Sequence, residues 1–479
     1  MDWFVVALES VVVLGAIFLG VRMGGIGLGL WGVAGTAVLV FGFSMDPGDP
    51  PIDAFFIIIA VITASAAMQA AGGIDWLVSI ASRIIKANPS RITFVAPLVS
   101  FVFTVGAGTS NIYFALIPVI NETAYRNGIR PERPLASSTV TSALGITASP
   151  VSAAMAAYLT LLPEDFTLSD ILMITMPAAI VACIATSVVQ QRIGRELKDD
   201  PEYLRLVEAG EIDVPDPLLE ELPADTKAKA LAAVAAKRGA SAGGSGTDDA
   251  PSDPDDSAEH PVPPGGRTSA LIFLTGVTII VLMGMFDELR PTVGTGEDAA
   301  PLDMTIVIEL TMFTVALIIL LVGHIEPGEV LKQPLLSAGI VAAIALFGIA
   351  WMADTFISGN QETIVDPLGD IVDQHPLFLA VALFIVAGLT TSQSATTRTL
   401  VPIALAAGMS PGLITAMWPS LVGVWLFPAN GSQIAAVAID KTHSTKLSQV
   451  PVWHSFTVPM LVAWVSVVAA GMVIAGVFF

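Results

Sequence analysis

Sulfur and metal chemistry are nearly ruled out by what this chain does not contain. Of its 479 residues one is cysteine, Cys183, set in an apolar run. No disulfide can form within the chain, and no cysteine-based metal site can be built. The five histidines (His260, His324, His375, His443, His454) are scattered without metal-ligand spacing, and His454 reads as an interfacial residue. A nucleophile elbow, a zinc motif and a Gly-Lys-Ser/Thr phosphate loop are all missing, which argues against an enzyme and against an ATP-driven pump. The run Gly24-Gly25-Ile26-Gly27-Leu28-Gly29 is glycine-rich, but no strand precedes it and it lies at a span boundary. Close helix packing is the better account. Charge is also scarce: 13% of residues are charged, with 21 basic against 42 acidic, for a net charge of −21. No cofactor and no nucleic-acid partner are expected.

What the chain does contain is apolar sequence. Hydrophobic residues make up 54%, and the mean hydropathy is +0.76. That is too apolar for a soluble protein of this length. Many windows exceed the roughly 18 residues needed to cross a bilayer as a helix, and a barrel would instead show short alternating segments. An all-α integral membrane protein is therefore expected, with the lipid bilayer as its partner and the cell membrane as its location. The first apolar stretch follows Met1-Asp2 and contains Glu9, so it lacks the basic start of a cleaved signal and reads as a retained span. The acids are concentrated in loops, above all between about 196 and 260. We read this as a solvated acidic exterior and a high-salt (halophile) cytoplasm.

Apolar runs place spans near 3–21, 24–43, 53–72, 135–160, 170–191, 269–285, 304–323, 337–357, 412–440 and 454–478. Between them lie two paired half-length segments, about 91–124 and 376–408, each turning back through a polar tip. The positive-inside rule orients them. Arg83, Lys86 and Arg91 precede the first pair and Arg126, Arg130 and Arg133 follow it, so both its ends lie on the basic, cytoplasmic side. The second pair follows Asp366, Asp370 and Asp373 and precedes uncharged sequence, so it enters from outside. With both treated as re-entrant hairpins, Arg22, Arg192, Arg195, Lys198, Lys332, Lys441 and Lys446 fall inside and only Arg290 falls outside. Both termini then face out. Each half has the order span, span, span, hairpin, broken span, span, in opposite orientations: an inverted repeat of about five spans plus one hairpin, with broken helices at the midplane. Ser110 precedes Pro118 by the same eight residues that separate Ser394 from Pro402. The first repeat covers 1–192 and the second 268–479. Residues 193–267 form an acidic cytoplasmic linker with an amphipathic helix at Pro201 to Val207 and a disordered Gly-, Ser- and Pro-rich remainder.

The tips carry the chemistry. One is Gly106-Ala107-Gly108-Thr109-Ser110-Asn111; the other runs from Thr390 to Arg398. The broken spans are interrupted by Ser149-Pro150-Val151-Ser152 and by Pro428-Ala429-Asn430-Gly431-Ser432-Gln433. Irregular backbone at membrane depth is tolerated only where protein or a water-filled cavity satisfies it. Half-helices ending there offer N–H groups to a carboxylate and carbonyls to Na⁺. Four such clusters at symmetric places point to a secondary transporter for a small anion, although any single Ser or Thr more often bonds its own backbone. Arg398 is the sharper signal. A guanidinium near mid-membrane costs several kcal/mol unless paired and matches a carboxylate in bidentate geometry; its repeat-equivalent is Phe114. Asp354 ends an apolar span and is a candidate for ion or proton coupling, against the plainer reading of a solvated helix end. It is the one plausible carboxylate for the alternative function, a cation/proton antiporter of related fold. Glu9 and Glu309 read as packing acids.

Gly106 to Asn111, Gly145 to Ala154, Gly348 to Phe356 and Ser392 to Thr396, with the N-terminal glycine run and Ala70 to Asp75, resemble the Dcu family of anaerobic four-carbon dicarboxylate transporters. The resemblance runs through nearly the whole chain except the linker. It implies exchange or ion-coupled transport of fumarate, succinate, malate or aspartate, with Na⁺ or H⁺ as a coupling ion, in homodimers that work by an elevator-like movement of the hairpin domain. Carried onto this chain it places the substrate region at Thr109, Ser110, Asn111, Thr147, Ser149, Ser152, Ser392, Ser394, Thr396 and Arg398. Asn430, in the second break, joins them.

Overall fold

The computed structural model describes every residue except 1–2, 24–25, 111, 164, 213, 232–262, 264, 295–299, 361–375, 428–429 and 448–451. The expected linker disorder, Asp366, Asp370, Asp373, His260 and His375, Pro428 and Ala429 fall wholly or mostly on these and lie outside the described residues. Among the described residues the protein is helical apart from one two-residue antiparallel ladder, Thr292–Val293 with Ala300–Pro301. It is an all-α membrane protein. Among the described residues six helices are long and apolar enough to cross a bilayer: Pro89–Ala107, Leu168–Gln190, Gly266–Gly284, Met304–Gly323, Pro334–Phe356 and Thr457–Phe478. Phe55–Ala70 and Gly73–Lys86, bent by 72° at their junction, make a seventh if counted as one. Ten crossings were expected from the apolar runs. Of the expected spans, that at 3–21 is the 21-residue helix Trp3–Met23, that at 24–43 is the 17-residue Gly27–Phe43, and two others are cut into pieces, whereas Pro89–Ala107, expected as a half-length arm of the first hairpin, is long enough to cross by itself.

Residues between the span expected at 53–72 and the first hairpin form a further helix. Gly73–Lys86 buries Gly73, Leu77, Ala81 and Ile85, a spacing of four that lines one face. Arg83 and Lys86 fall in its last turn.

Each paired segment is a helical hairpin: Ile92–Ala107 with Ile112–Arg126, then Leu377–Thr390 with Gln393–Ala406. The first turns at Gly108, whose φ of +69° is open to glycine at little strain. A Cβ there would also lie 2.6 Å from the Val151 carbonyl oxygen. The broken spans are Glu132–Thr147 followed by Ala153–Leu159, and Pro411–Met417 running through the 3-10 segment Trp418–Trp425 before Gly431–Ile439.

The contacts run in corresponding pairs across the two halves. Ile92–Ala107 packs on Glu132–Thr147, as Leu377–Thr390 packs on Trp418–Trp425. The second helix of each hairpin crosses over: Ile112–Arg126 meets Gly431–Ile439, and Gln393–Ala406 meets Ala153–Leu159. Helix Gly27–Phe43 lies against Pro334–Gly359, and Ile52–Ala70 against Met304–Gly323. The first of these is a backbone contact, since a Cβ on Gly348 would sit 1.9 Å from the Gly29 carbonyl oxygen. Small residues permit this approach, which supplies dispersion and close packing where lipid offers no hydrophobic drive.

The start of the linker is folded. Asp200 caps helix Pro201–Glu208 by accepting from the Glu202 N–H at 3.0 Å. Leu197, Tyr203, Val207, Leu218, Leu222 and Ala230 form a small core of their own. Arg130, just past the first hairpin, fixes this unit: its Nε donates to Glu132 and its Nη1 to Asp200, each at 2.6 Å, and its Nη2 to the Ser444 carbonyl at 3.4 Å. Arg133 pairs with Glu196 at 3.0 Å, and Lys446 with Glu202. Burial alone would raise the Asp200 pKa, but the hydrogen bonds from Arg130 and the Glu202 N–H outweigh it and hold the carboxyl below its ordinary range.

Candidate functional site

The two hairpin tips converge on the break in the first broken span. Ser149 donates its hydroxyl to the Val105 carbonyl at 2.7 Å, tying the break to the first hairpin. From the other half, Gln393 Nε2 donates to the Ala143 carbonyl at 3.0 Å, one turn before that break. The second break meets the first hairpin as well: a Cβ on Gly431 would lie 3.3 Å from Phe114 Cζ, and Asn121 Nδ2 donates to the Ile439 carbonyl at 3.3 Å.

Several of the expected site side chains serve the local backbone first. Ser152 caps Ala153–Leu159 by accepting from the Met155 N–H at 3.0 Å, and donates to the Ile146 carbonyl at 2.7 Å. Ser392 caps Gln393–Ala406 through the Ala395 N–H at 3.2 Å. Asn430 accepts from the Ser432 N–H at 3.1 Å and forms a capping box with Gln433. These contacts answer the orphan N–H groups of helices that start inside the protein. Thr147 donates to the Leu144 carbonyl at 3.0 Å; Thr396 donates to the Ser392 carbonyl at 2.9 Å and meets Thr390 Oγ1 at 3.0 Å. Thr147, Ser149, Ser152 and Thr396 are buried. Thr109, Ser110 and Ser394 are half-buried. Among the described residues no hydrogen bond is made by the hydroxyls of Ser110 and Ser394. Asn111 lies outside the described residues.

The second tip is shorter than its polar sequence implied. With Thr391 at φ +50° and Ser392 as cap, the helix has begun by Gln393, so Ser394 to Arg398 are helical. Arg398 is 1% exposed and ranks among the largest fully buried side chains. Its helix packs on Ala153–Leu159, on Pro334–Gly359 and on the 3-10 segment Trp418–Trp425. Ser152 and Ser392 thus cap helices that start near the first break and Asn430 one that starts at the second, while Arg398 lies in the second turn of the helix that Ser392 caps; guanidinium groups and helix starts are groups suited to a small anion with oxygen acceptors.

Asp354 lies apart from these contacts. Half-buried near the end of Pro334–Gly359, it accepts the Asp49 N–H at 2.8 Å. Thr355 Oγ1 accepts the Gly48 N–H at 3.1 Å, and Trp351 Nε1 donates to the Gly48 carbonyl at 2.8 Å. These bonds anchor the loop before Ile52–Ala70, and none of them joins Asp354 to the tips. Glu9 accepts from Asn360 Nδ2 at 2.8 Å, both residues being buried. Glu309 is half-buried on Met304–Gly323. Among the described residues no group of three or more His, Cys, Asp or Glu side chains gathers as for a metal ion.

Sequence reasoning did not single out Gln393, Tyr158 or Trp418, which hold the second hairpin. Only Gln393 carried a signal, as an amide within a polar tip.

Residues 5–479 match the family described as anaerobic C4-dicarboxylate membrane transporter. The chain is 33% identical over 474 residues to the C4-dicarboxylate transporter DcuA of Wolinella succinogenes, covering 98% of each. It is 33% identical over 454 residues to DcuA of Escherichia coli K12, covering 94% of each. To the anaerobic C4-dicarboxylate transporter DcuB of Escherichia coli O6:H1 it is 31% identical over 461 residues, covering 95% of each.

Proposed function

Because this chain belongs to the DcuA/DcuB family of membrane transporters, and not to an enzyme family, we propose that it is a secondary carrier for four-carbon dicarboxylates such as fumarate, succinate, malate or aspartate. The observation that carries the reading is the burial of Arg398, 1% exposed, in the second turn of a helix whose first residue is tied to the opposite half through Ala143. A dianion is met by one guanidinium and by the N-termini of Ile112–Arg126, Gln393–Ala406 and Gly431–Ile439. Arg398 takes one carboxylate. The helix starts and the hydroxyls of Thr109, Ser110 and Ser394 take the other.

The corresponding packing pairs of the two halves support an inverted repeat, and in this reading both hairpins re-enter the membrane from opposite sides. Alternating access then follows from moving hairpins and broken spans as one body against a dimeric scaffold. In this reading both termini face outward and the linker faces the cytoplasm, an orientation that the placement of Arg and Lys supports. Exchange against internal dicarboxylate, or coupling to Na⁺ or H⁺, drives the cycle. The acidic surface suits high salt.

The test is uptake of labelled succinate, fumarate and aspartate into proteoliposomes at high salt, with and without internal dicarboxylate and with imposed Na⁺ or pH gradients. Dependence on internal dicarboxylate identifies exchange, and dependence on a gradient identifies symport. No uptake of any of them by folded protein overturns the assignment. The antiporter reading rests on half-buried Asp354, whose helix packs on the second hairpin. A pH-dependent cation flux without any organic acid, lost in Asp354→Asn, would favour it.

A further inference from the structure

The second hairpin leans on an aromatic pillar that carboxylate binding does not itself use. Tyr158, from the second piece of the first broken span, stacks on Trp418, with ring centroids 4.1 Å apart and planes 8° from parallel. Both are fully buried. Tyr158 Oη and Thr415 Oγ1 share a hydrogen bond of 2.8 Å, which fixes the phenol. On the other side Trp418 Nε1 donates to Thr397 Oγ1 at 2.9 Å, and Thr397 donates in turn to the Gln393 carbonyl at 2.9 Å. The roles are consistent, because an indole nitrogen can only donate and a hydroxyl can accept while donating. Thr397 immediately precedes Arg398.

We propose that Trp418 is a positioning residue for Arg398 and, through it, a determinant of dicarboxylate length. Clamped on Tyr158, the indole sets the rotation and height of helix Gln393–Ala406 at the residue before the guanidinium. It thereby sets the gap between Arg398 and the groups that take the far carboxylate. A binding constellation needs its members held to about 0.5 Å and 10–20°, and one rigid hydrogen bond adjacent to the ligand-binding residue supplies that constraint. Gln393, bonded to Ala143, fixes the start of the same helix. This inference rests on the reading of Arg398 as the carboxylate ligand.

The test compares Thr397→Val, which keeps the branched shape and removes the hydroxyl, with Trp418→Phe, which keeps a stacking ring and removes the N–H. Each is reconstituted in proteoliposomes, with rates normalised to folded protein. Half-saturation for succinate is expected to rise roughly tenfold, the size of one lost buried hydrogen bond, while the maximal rate stays within about twofold of wild type. Discrimination between succinate and the five-carbon glutarate is expected to fall. The double variant should be no worse than the single ones, since both remove the same bond, and Thr397→Ser should restore wild-type behaviour. Succinate-dependent protection against thermal unfolding gives a second readout that needs no transport. Wild-type half-saturation and an unchanged succinate-to-glutarate ratio in both folded variants would overturn the proposal, leaving Trp418 a packing residue. Arg398→Ala separates the two claims. Wild-type kinetics in that variant refute the carboxylate assignment itself, whereas its inactivity beside normal Thr397→Val and Trp418→Phe refutes the pillar alone.

Discussion

Replacing Arg130 with alanine should release the folded part of the linker from the transporter. Arg130, Glu132 and Asp200 have side chains only 8%, 10% and 15% exposed. Removing the cation leaves two nearly buried carboxylates facing each other, and breaking a buried pair in this way costs about 3–5 kcal/mol. Here the low end applies, because Asp200 keeps the Glu202 N–H and Glu132 keeps the Ser455 hydroxyl at 2.6 Å. At 1.4 kcal/mol per tenfold, a loss of about 3 kcal/mol raises the undocked population roughly a hundredfold. Protease cleavage within 196–231 tracks that population when opening and closing are fast. Cleavage at pH 7 should therefore accelerate by about two orders of magnitude, with a smaller effect in Asp200→Asn, where Arg130 keeps Glu132. The pH dependence has a definite sign. The Asp200 carboxyl is held below its ordinary value of 3.8, so its contribution is complete above that value and is lost as pH falls through the lower folded one. Wild-type cleavage should be flat from pH 7 to 5 and rise only below about pH 4. A wild-type cleavage rate in Arg130→Ala, or loosening of the wild type already between pH 7 and 5, would refute the argument.

Other outcomes follow from single contacts. Arg398→Ala should abolish dicarboxylate uptake while membrane insertion remains; unchanged uptake kinetics would remove the arginine from the site. Gly348→Ala drives a Cβ into the Gly29 carbonyl and should lower stability by about 1–3 kcal/mol through overpacking. Gly15→Ala, inside helix Trp3–Met23 where nothing lies within 4 Å, is the control and should not destabilise in the same thermal assay. Ser392→Ala loses a helix cap worth about 1 kcal/mol, so it should reduce thermal stability slightly and impair uptake far less than Arg398→Ala. If the acidic surface is an adaptation to salt, transport and folding in membrane vesicles should both decline in low salt; equal activity in low and high salt would reject that idea.

How far the site was legible depended on the range of the interaction. Apolar length, the two polar tips and the residues that break the spans are local properties, and each left a pattern in the sequence. Arg398 stood out because a guanidinium inside an apolar segment is anomalous whatever surrounds it. The helix start at Ser392 was misjudged by a few residues, since a run of Ser and Thr reads the same as turn or as first helical turn until a cap fixes the boundary. Helix Gly73–Lys86 falls outside every expected span, although Leu77, Ala81 and Ile85 share a face.

The sequence by itself determined that this chain is a membrane protein, where its helices break, and which family it resembles, because insertion into lipid is decided by composition over about 20 residues. Tertiary structure alone decided that Gln393 reaches Ala143, 250 residues away. It also decided that Trp418 holds Thr397 against Tyr158, that Asp354 anchors a loop, and that Arg130 ties the linker to both halves. Those pairings join residues far apart in the chain, and no local pattern encodes a partner that only packing brings within hydrogen-bond distance.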